Sequence, residues 1–344
     1  MEPKLIPVES HRPLRDDETP VIALVHNEAN LLPAFLDHYR SICTPRFMIV
    51  DDRSTDGSRD LLRAAADVDL YEPVDGSSYA QDKALWRQEI LDARCAGRWV
   101  LLPDVDELFV WLGMEAGLNR LCAALDDEGA EAVFTLMIDM YADAALADQV
   151  YKGDRPLTEA FRWLDGFQSY TIRRKSKRML TERPTPPVTA YGGMRHRLFH
   201  SDPTKAPWWQ RALIWRFEGV DAPLDPPRGG VRWVVSKLTK SRWRRALVMN
   251  KIGLVKWRTG ARFAKGPHEL RDPFPISAGV AGVLHFPFTR GAEGVAYIAQ
   301  RGQHADGARH YRDLDLEKSP RSDISLRYRG VESLSQHLRP FPGL

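Results

Sequence analysis

The chain has 344 residues, 43% of them hydrophobic, and carries 49 Lys and Arg against 46 Asp and Glu. That is room for one large α/β domain or two smaller ones, and no window holds the roughly 18 consecutive apolar residues that a membrane span requires. Twelve of the cations and no acid fall within residues 226–268, so the rest of the chain is net acidic; with no recognisable nucleic-acid-binding module, no nucleic-acid partner is expected.

Residues 1–19 are polar and Pro-interrupted and read as a tail without the apolar core of a signal peptide, which makes the cytoplasm the expected location. Cys43, Cys95 and Cys122 are widely spaced and form no CxxC pair, so they read as reduced, small hydrophobes. From Val21 the pattern becomes regular. "VIALV" is strand-like, and after a polar corner Leu32, Phe35, Leu36 and Tyr39 fall on one face of a helix. "FMIVDD" is a second strand, "RSTDGS" a turn in which Ser54 or Asp56 would cap the next helix, and "VDLYEP" a third strand. "YAQDKALWRQEILDARC" is a helix and "RWVLLPDVDELFV" a fourth strand.

Strands alternating with helices predict a mainly parallel sheet, whose ligands bind at the carboxyl ends of its strands. The polar groups His26-Asn27-Glu28, Asp51-Asp52 and Asp104-Val105-Asp106-Glu107 all fall there. Beyond Phe134 the pattern loosens: "AVFTLMIDMYAD" reads as a further strand, residues 153–227 are loop-rich, and "GVAGVLHFPF" is strand-like. "GAEGVAYIAQRGQH" opens a C-terminal helical region. The predicted organisation is a tail (1–19), a ligand-binding half (20–150), a second half (151–290) containing a basic, Trp-bearing segment (228–262), and a helical end (291–344).

The acidic corner poses an electrostatic problem. Carboxylates ending an apolar run cost several kcal/mol each to desolvate unless paired or bound to a cation. Oxygen ligands at a D-x-D spacing suit Mg²⁺ or Mn²⁺ bridging a substrate's phosphates; an exposed loop or a helix cap is the alternative for an isolated D-x-D. An Asx-turn explains Asp56 and Gly57 but leaves Asp51 and Asp52 without a partner, and Glu28 fits either a ribose hydroxyl or a helix N-terminus.

Taken in order, "VIALVHNEANLLPAFLDHYRS", "FMIVDDRSTDGSRDLL" and "GRWVLLPDVDELFV" resemble the nucleotide-sugar-binding half of family 2 glycosyltransferases of the GT-A fold, in a bacterial branch whose acidic motif reads D-x-D-E. "GGMRHRLF", "GLVKWRTGARFAKGPHEL", "VLHFPF" and "ARHYRDL" extend the resemblance over most of residues 20–330. It implies a metal-dependent inverting transfer of a sugar from a nucleoside diphosphate donor, with UDP favoured, to a saccharide or lipid-linked acceptor in cell-surface glycan or glycolipid synthesis. His26, Glu28, Asp51 and Asp52 would line the donor site, with Asp52 on the base, and Asp104 and Asp106 would hold Mn²⁺ or Mg²⁺ on the diphosphate. His285 would be the third ligand, with His268 of "GPHEL" as its rival and a place for His268 beside the acceptor. Lys83 and Arg87, or Arg195 and Arg197, would stabilise the departing charge, the latter two with a place beside the acceptor. Asp139, then Asp143, then Glu107 are the candidates for general base, and Gly192-Gly193 would allow close approach of substrate or form a plain tight turn.

Two other functions compete. A nucleotidyltransferase carries a Gly-rich basic loop after its first strand, which "VHNEANLL" lacks, and the third possibility is a sugar- or nucleotide-binding protein without turnover. The basic segment reads either as internal helices packed on the sheet or as a peripheral contact with an anionic membrane.

Overall fold

The computed structural model describes residues 3–199, 207–210, 212–213, 234, 238, 247–302, 308–312 and 314–344. Nine strands form one sheet, in the spatial order β1 (Leu5–Pro7), β4 (Val68–Pro73), β3 (Pro45–Asp51), β2 (Thr19–Val25), β5 (Trp99–Leu101), β11 (Asn250–Lys256), β7 (Ala132–Asp139), β12 (Ala281–His285) and β6 (Glu107–Val110). β4, β3, β2 and β5 are mutually parallel and β12 is parallel to β7, while β1, β11 and β6 oppose their neighbours. The sheet is therefore mainly parallel in strand direction, with one antiparallel strand inserted at its centre. Two small ribbons, β9 (Tyr170–Arg174) with β10 (Val188–Gly192) and β8 (Trp163–Asp165) with β13 (Ser325–Arg327), lie outside it.

Alternation along β2 sets the layers. Val21, Ala23 and Val25 join a core with Leu32, Phe35, Leu36 and Tyr39 of α1 (Leu32–Ile42) and Leu121 and Leu125 of α4 (Leu118–Glu128). Ile22 and Leu24 point the other way, onto Trp86, Ile90 and Leu91 of α3 (Tyr79–Arg94). Both faces of β2 are thus covered, as a strand apolar from Pro20 to Val25 requires. The helix α2 (Ser58–Ala64) starts after Gly57, whose φ of 91° closes the turn, and its cap is not a side chain; Asp56 instead accepts bonds from the Ser58 amide (3.0 Å) and hydroxyl (2.6 Å).

Four readings of the sequence are corrected. "RWVLLPDVDELFV" is two strands: β5 stops before Pro103, which has no amide to continue the ladder, and the chain crosses to the far edge as β6. The three acids are therefore a corner. The expected tail is anchored, with β1 paired to β4 and the Lys4 amide bonded to Glu89 at 2.8 Å. The basic segment is not helical throughout, since residues 250–256 are the central antiparallel strand and Trp257 is buried beside it. Finally, among the described residues beyond the helix Gly291–Arg301 the C-terminus is only partly helical: the short helix Arg309–Arg312 is followed by largely irregular chain that packs Leu334, Leu338 and Phe341 onto the core. Trp233, Trp243 and most of residues 228–246, on which the membrane expectation fell, lie outside the described residues. Among the described residues no helix is long and apolar enough to cross a membrane.

All three cysteines are free, and burial pushes each thiol up to about 12, which leaves them protonated and unreactive. At the other end of the scale, a bond from Arg12 pulls the Glu18 carboxyl down to about 2 against the opposing effect of burial. A depressed carboxylate contributes stability above its ordinary value and loses it as pH falls through the folded value. Stability is therefore expected to decline between about pH 4.5 and 2, and denaturant midpoints measured across that window should show a shallower fall in Glu18→Gln.

Candidate functional site

The loops after β2 and β3 are tied to each other. The Asn27 amide donates to Ser54 Oγ at 3.0 Å, the Thr55 amide to Asn27 Oδ1 at 2.7 Å, the Glu28 amide to Ser58 Oγ at 2.9 Å and the Ala29 amide to Asp56 Oδ2 at 3.0 Å. Asn27 and Arg53 hold positive φ (57° and 60°) at the two corners. Much of "HNE" and "DDRSTDGS" therefore builds a rigid rim, and His26 joins it through Nδ1 on the Asp52 carbonyl. Asp51, fully buried, accepts the Ser54 amide at 3.2 Å and completes the turn. Asp52 is buried, and Arg53 (3.0 Å) and Arg301 (2.6 Å) take its two oxygens.

The acidic corner is neutralised largely by cations of this chain. Arg87 donates to Asp104 Oδ1 at 2.5 Å, and Lys251 Nζ donates to Asp104 Oδ2 at 2.8 Å and to Glu107 Oε2. Glu107 Oε2 also accepts the Asp104 amide at 2.8 Å, which closes the corner. Lys251 is wholly buried on β11, one residue before a register shift between Ile252 and Leu254. Bulges of this kind re-aim side chains beside sites. Burial opposes every charge here, yet the Lys251 ammonium and then Arg87 hold Asp104 well below the usual carboxylate range. Lys251 is raised in return by Asp104 and Glu107. Burial pushes Glu107 upward, against Lys251.

Register builds the second half of the site. His285 on β12 sits opposite Asp139 of β7 and Glu107 of β6. Its Nδ1 bonds Asp139 Oδ1 at 2.7 Å, which leaves Nε2 facing Asp106 Oδ2 at 3.2 Å. Burial and Arg195 oppose protonation of this ring, but the two carboxylates outweigh them and raise it to about 9. Asp139 is fully buried and also takes the Arg195 Nε (2.9 and 3.1 Å) and amide (3.2 Å). Burial would raise it, but Arg195 and then His285 hold it low. Asp106 keeps a side chain 31% exposed toward the cleft.

That cleft is lined by His26, Glu28, Asp106, Arg290, Tyr297 and Arg301, among others. Burial first, and the nearby Asp106 charge second, push the Glu28 carboxyl up to about 8. The remaining expected residues are placed elsewhere. Arg197 is spent on a two-bond fork to buried Asp165, both at 2.7 Å, and Asp143 is exposed and faces Arg321 at 3.5 Å. His268 bonds the Asn250 carbonyl at 2.8 Å and is lowered to about 4 by burial and Lys251, hence neutral. Lys83 lies over the Tyr79 ring at 4.7 Å.

Gly192 and Gly193 make close approach to the chain itself. A Cβ on Gly192 (φ 114°) would lie 2.0 Å from the Ser169 carbonyl, and one on Gly193 would lie 2.9 Å from Tyr170 Oη. Gly192→Ala is expected to cost more than about 1 kcal/mol, read from chemical denaturation.

Lys251, Arg290, Arg301 and Tyr297 carry no role in the sequence reading. A lysine inside an apolar strand, "NKIGLVK", was the available signal for the first. Among the described residues no group of three or more His, Cys, Asp or Glu side chains could hold a metal by itself. Asp106 with the Nε2 of His285 supplies two donors of the type Mn²⁺ accepts, the ring being oriented from behind by Asp139 in the manner of metal-bound histidines.

No family model and no curated protein matches the chain. Among solved structures it is similar to a 4-diphosphocytidyl-2C-methyl-D-erythritol synthase, at 14% identity over 38% of this chain and 65% of that one, with a TM-score of 0.27. It is also similar to mannosyltransferase PcManGT from Pyrobaculum calidifontis in complex with GDP-Man and Mn²⁺, at 24% identity over 44% of this chain and 43% of that one, with a TM-score of 0.24.

Proposed function

We propose that the chain is a metal-dependent, inverting glycosyltransferase of GT-A type that moves a sugar from a nucleoside diphosphate donor, UDP-linked by preference, to an acceptor hydroxyl of a saccharide or lipid-linked glycan. The observation that carries this reading is one cleft lined by Glu28, after β2, and Asp106, in the β5–β6 corner, with His285 of β12 facing Asp106 at 3.2 Å and Asp52, after β3, bonded to the cleft's Arg301. The motif resemblance supplies the reaction class.

Asp106 and His285 would hold the divalent cation, which would supply charge stabilisation to the departing diphosphate. Asp104 is better suited to structure than to ligation, because Arg87 and Lys251 take both its oxygens. The base moves as well. Asp139 and Glu107 are buried in ion pairs and Asp143 faces Arg321, whereas Glu28 lines the cleft, which makes it the candidate to accept the hydroxyl proton. Lipid-linked acceptors and membrane contact remain part of the proposal through the basic sequence of 228–246.

Nucleotide release from a panel of UDP-, GDP- and dTDP-sugars, with and without Mn²⁺, tests the reading. Metal-stimulated release with one donor supports it; binding without transfer or hydrolysis of any donor would leave a non-catalytic binding protein.

A further inference from the structure

The ribbon of β9 and β10 and the loop packed on it form a basic arm outside the main sheet. Residues 172–185, which take in the end of β9, the short helix Lys177–Glu182 and the return toward β10, carry six Lys and Arg against one acid. Residues 260–271 carry three against one. Buried Glu269 clamps the two segments together: Lys175 Nζ lies 2.8 Å from one of its oxygens and Arg183 Nη1 2.9 Å from the other. The Leu270 amide adds a bond to the Thr185 carbonyl at 2.8 Å. The second acid, Glu182, pairs with Arg178 at 3.3 Å on the open surface, where such a pair holds little energy.

The remaining charge has no use inside the fold. Arg174, Lys177, Arg262 and Arg271 are exposed, and among the described residues none of the four is paired with a carboxylate. Ile172, 43% exposed, shares the strand face of Arg174. The two segments contain one aromatic residue, Phe263, whose ring packs on Trp257 at 5.6 Å between centroids. The arm therefore lacks the exposed rings on which unpaired bases stack. Unanchored cations around an exposed aliphatic side chain suit the diffuse negative charge and apolar boundary of a lipid surface instead. The root of the arm is at the site, since β10 ends at Gly192 and the following helix, Gly193–Phe199, brings Arg195 onto Asp139.

We infer that this arm docks the protein on an anionic membrane surface. The inference deepens the proposed function and rests on it for the acceptor alone: a lipid-linked acceptor would be presented at the root of the arm. Docking itself needs only the charge of the lipid headgroups.

Co-sedimentation of the full chain with vesicles of phosphatidylcholine alone, and of equal parts phosphatidylcholine and phosphatidylglycerol, tests the arm. Wild type is expected to bind the mixed vesicles, to leave the neutral ones, and to lose affinity as salt rises. The variant Arg174→Gln/Lys177→Gln/Arg262→Gln should bind the mixed vesicles roughly a hundredfold more weakly. The same change at exposed Arg15, Arg63 and Arg120 should cost less than about threefold, because the attraction fades within a Debye length. Unchanged vesicle binding in the arm variant, an equal loss in the control variant, or a single-stranded oligonucleotide bound as tightly as the mixed vesicles overturns the inference, as does absence of vesicle binding by wild type. Calorimetry with UDP and Mn²⁺ on the same samples separates the two readings. Arm-dependent vesicle binding without nucleotide binding keeps the arm and removes the glycosyltransferase; nucleotide binding without vesicle binding removes the arm alone.

Discussion

Lys251→Met is expected to destabilise the folded chain by about 3–5 kcal/mol, the usual cost of leaving a buried ion pair with one partner. The ammonium is wholly buried and serves two carboxylates at once, so its removal strands Asp104 beside Glu107 with Arg87 alone to compensate. A second substitution, Glu107→Gln, should return part of that loss by removing one of the stranded charges. Equilibrium unfolding in denaturant reads both, and a loss under about 1 kcal/mol for Lys251→Met would show that Arg87 suffices to hold the corner.

Asp106→Asn is expected to leave the fold intact and to weaken Mn²⁺-dependent donor binding by at least about a hundredfold, since loss of even a supporting group behind a metal ligand costs ten- to hundredfold. The asymmetry within D-x-D makes the prediction specific. Asp104 is bound by two cations of the chain, whereas Asp106 is 31% exposed and faces the Nε2 of His285. Manganese titration followed by nucleotide binding checks it; equal Mn²⁺ dependence in Asp106→Asn would move the cation elsewhere.

The alternation of strand and helix through residue 101 was legible because each element carries its own period: every residue of β2 and β3 is apolar or covered, and α1 shows a single buried stripe. The split of "WVLLPDVDELFVW" was not read, although Pro103 stood in it, because the apolar run continues on both sides and only tertiary pairing sends β6 to the other edge. The central strand was missed for a related reason. "NKIGLVK" carries a lysine where a buried strand should have none, and its partners Asp104 and Glu107 lie 147 and 144 residues away. The position of the acids was legible; which cation each one holds was not. Arg301 on Asp52 spans 249 residues and Arg195 on Asp139 spans 56, distances over which sequence patterns say nothing of pairing. That allocation changes the chemistry expected of Asp104 and Asp139 from ligand and base to framework, and it leaves Asp106, Glu28 and Arg290 facing the cleft.

The most direct test of the central claim is a crystal structure of the chain soaked with UDP and Mn²⁺. Manganese is expected on Asp106 and His285 Nε2, with the nucleotide in the cleft lined by Glu28, Arg290 and Arg301. Nucleotide bound away from this cleft, or manganese held by Asp104 with Lys251 expelled from the corner, would contradict it.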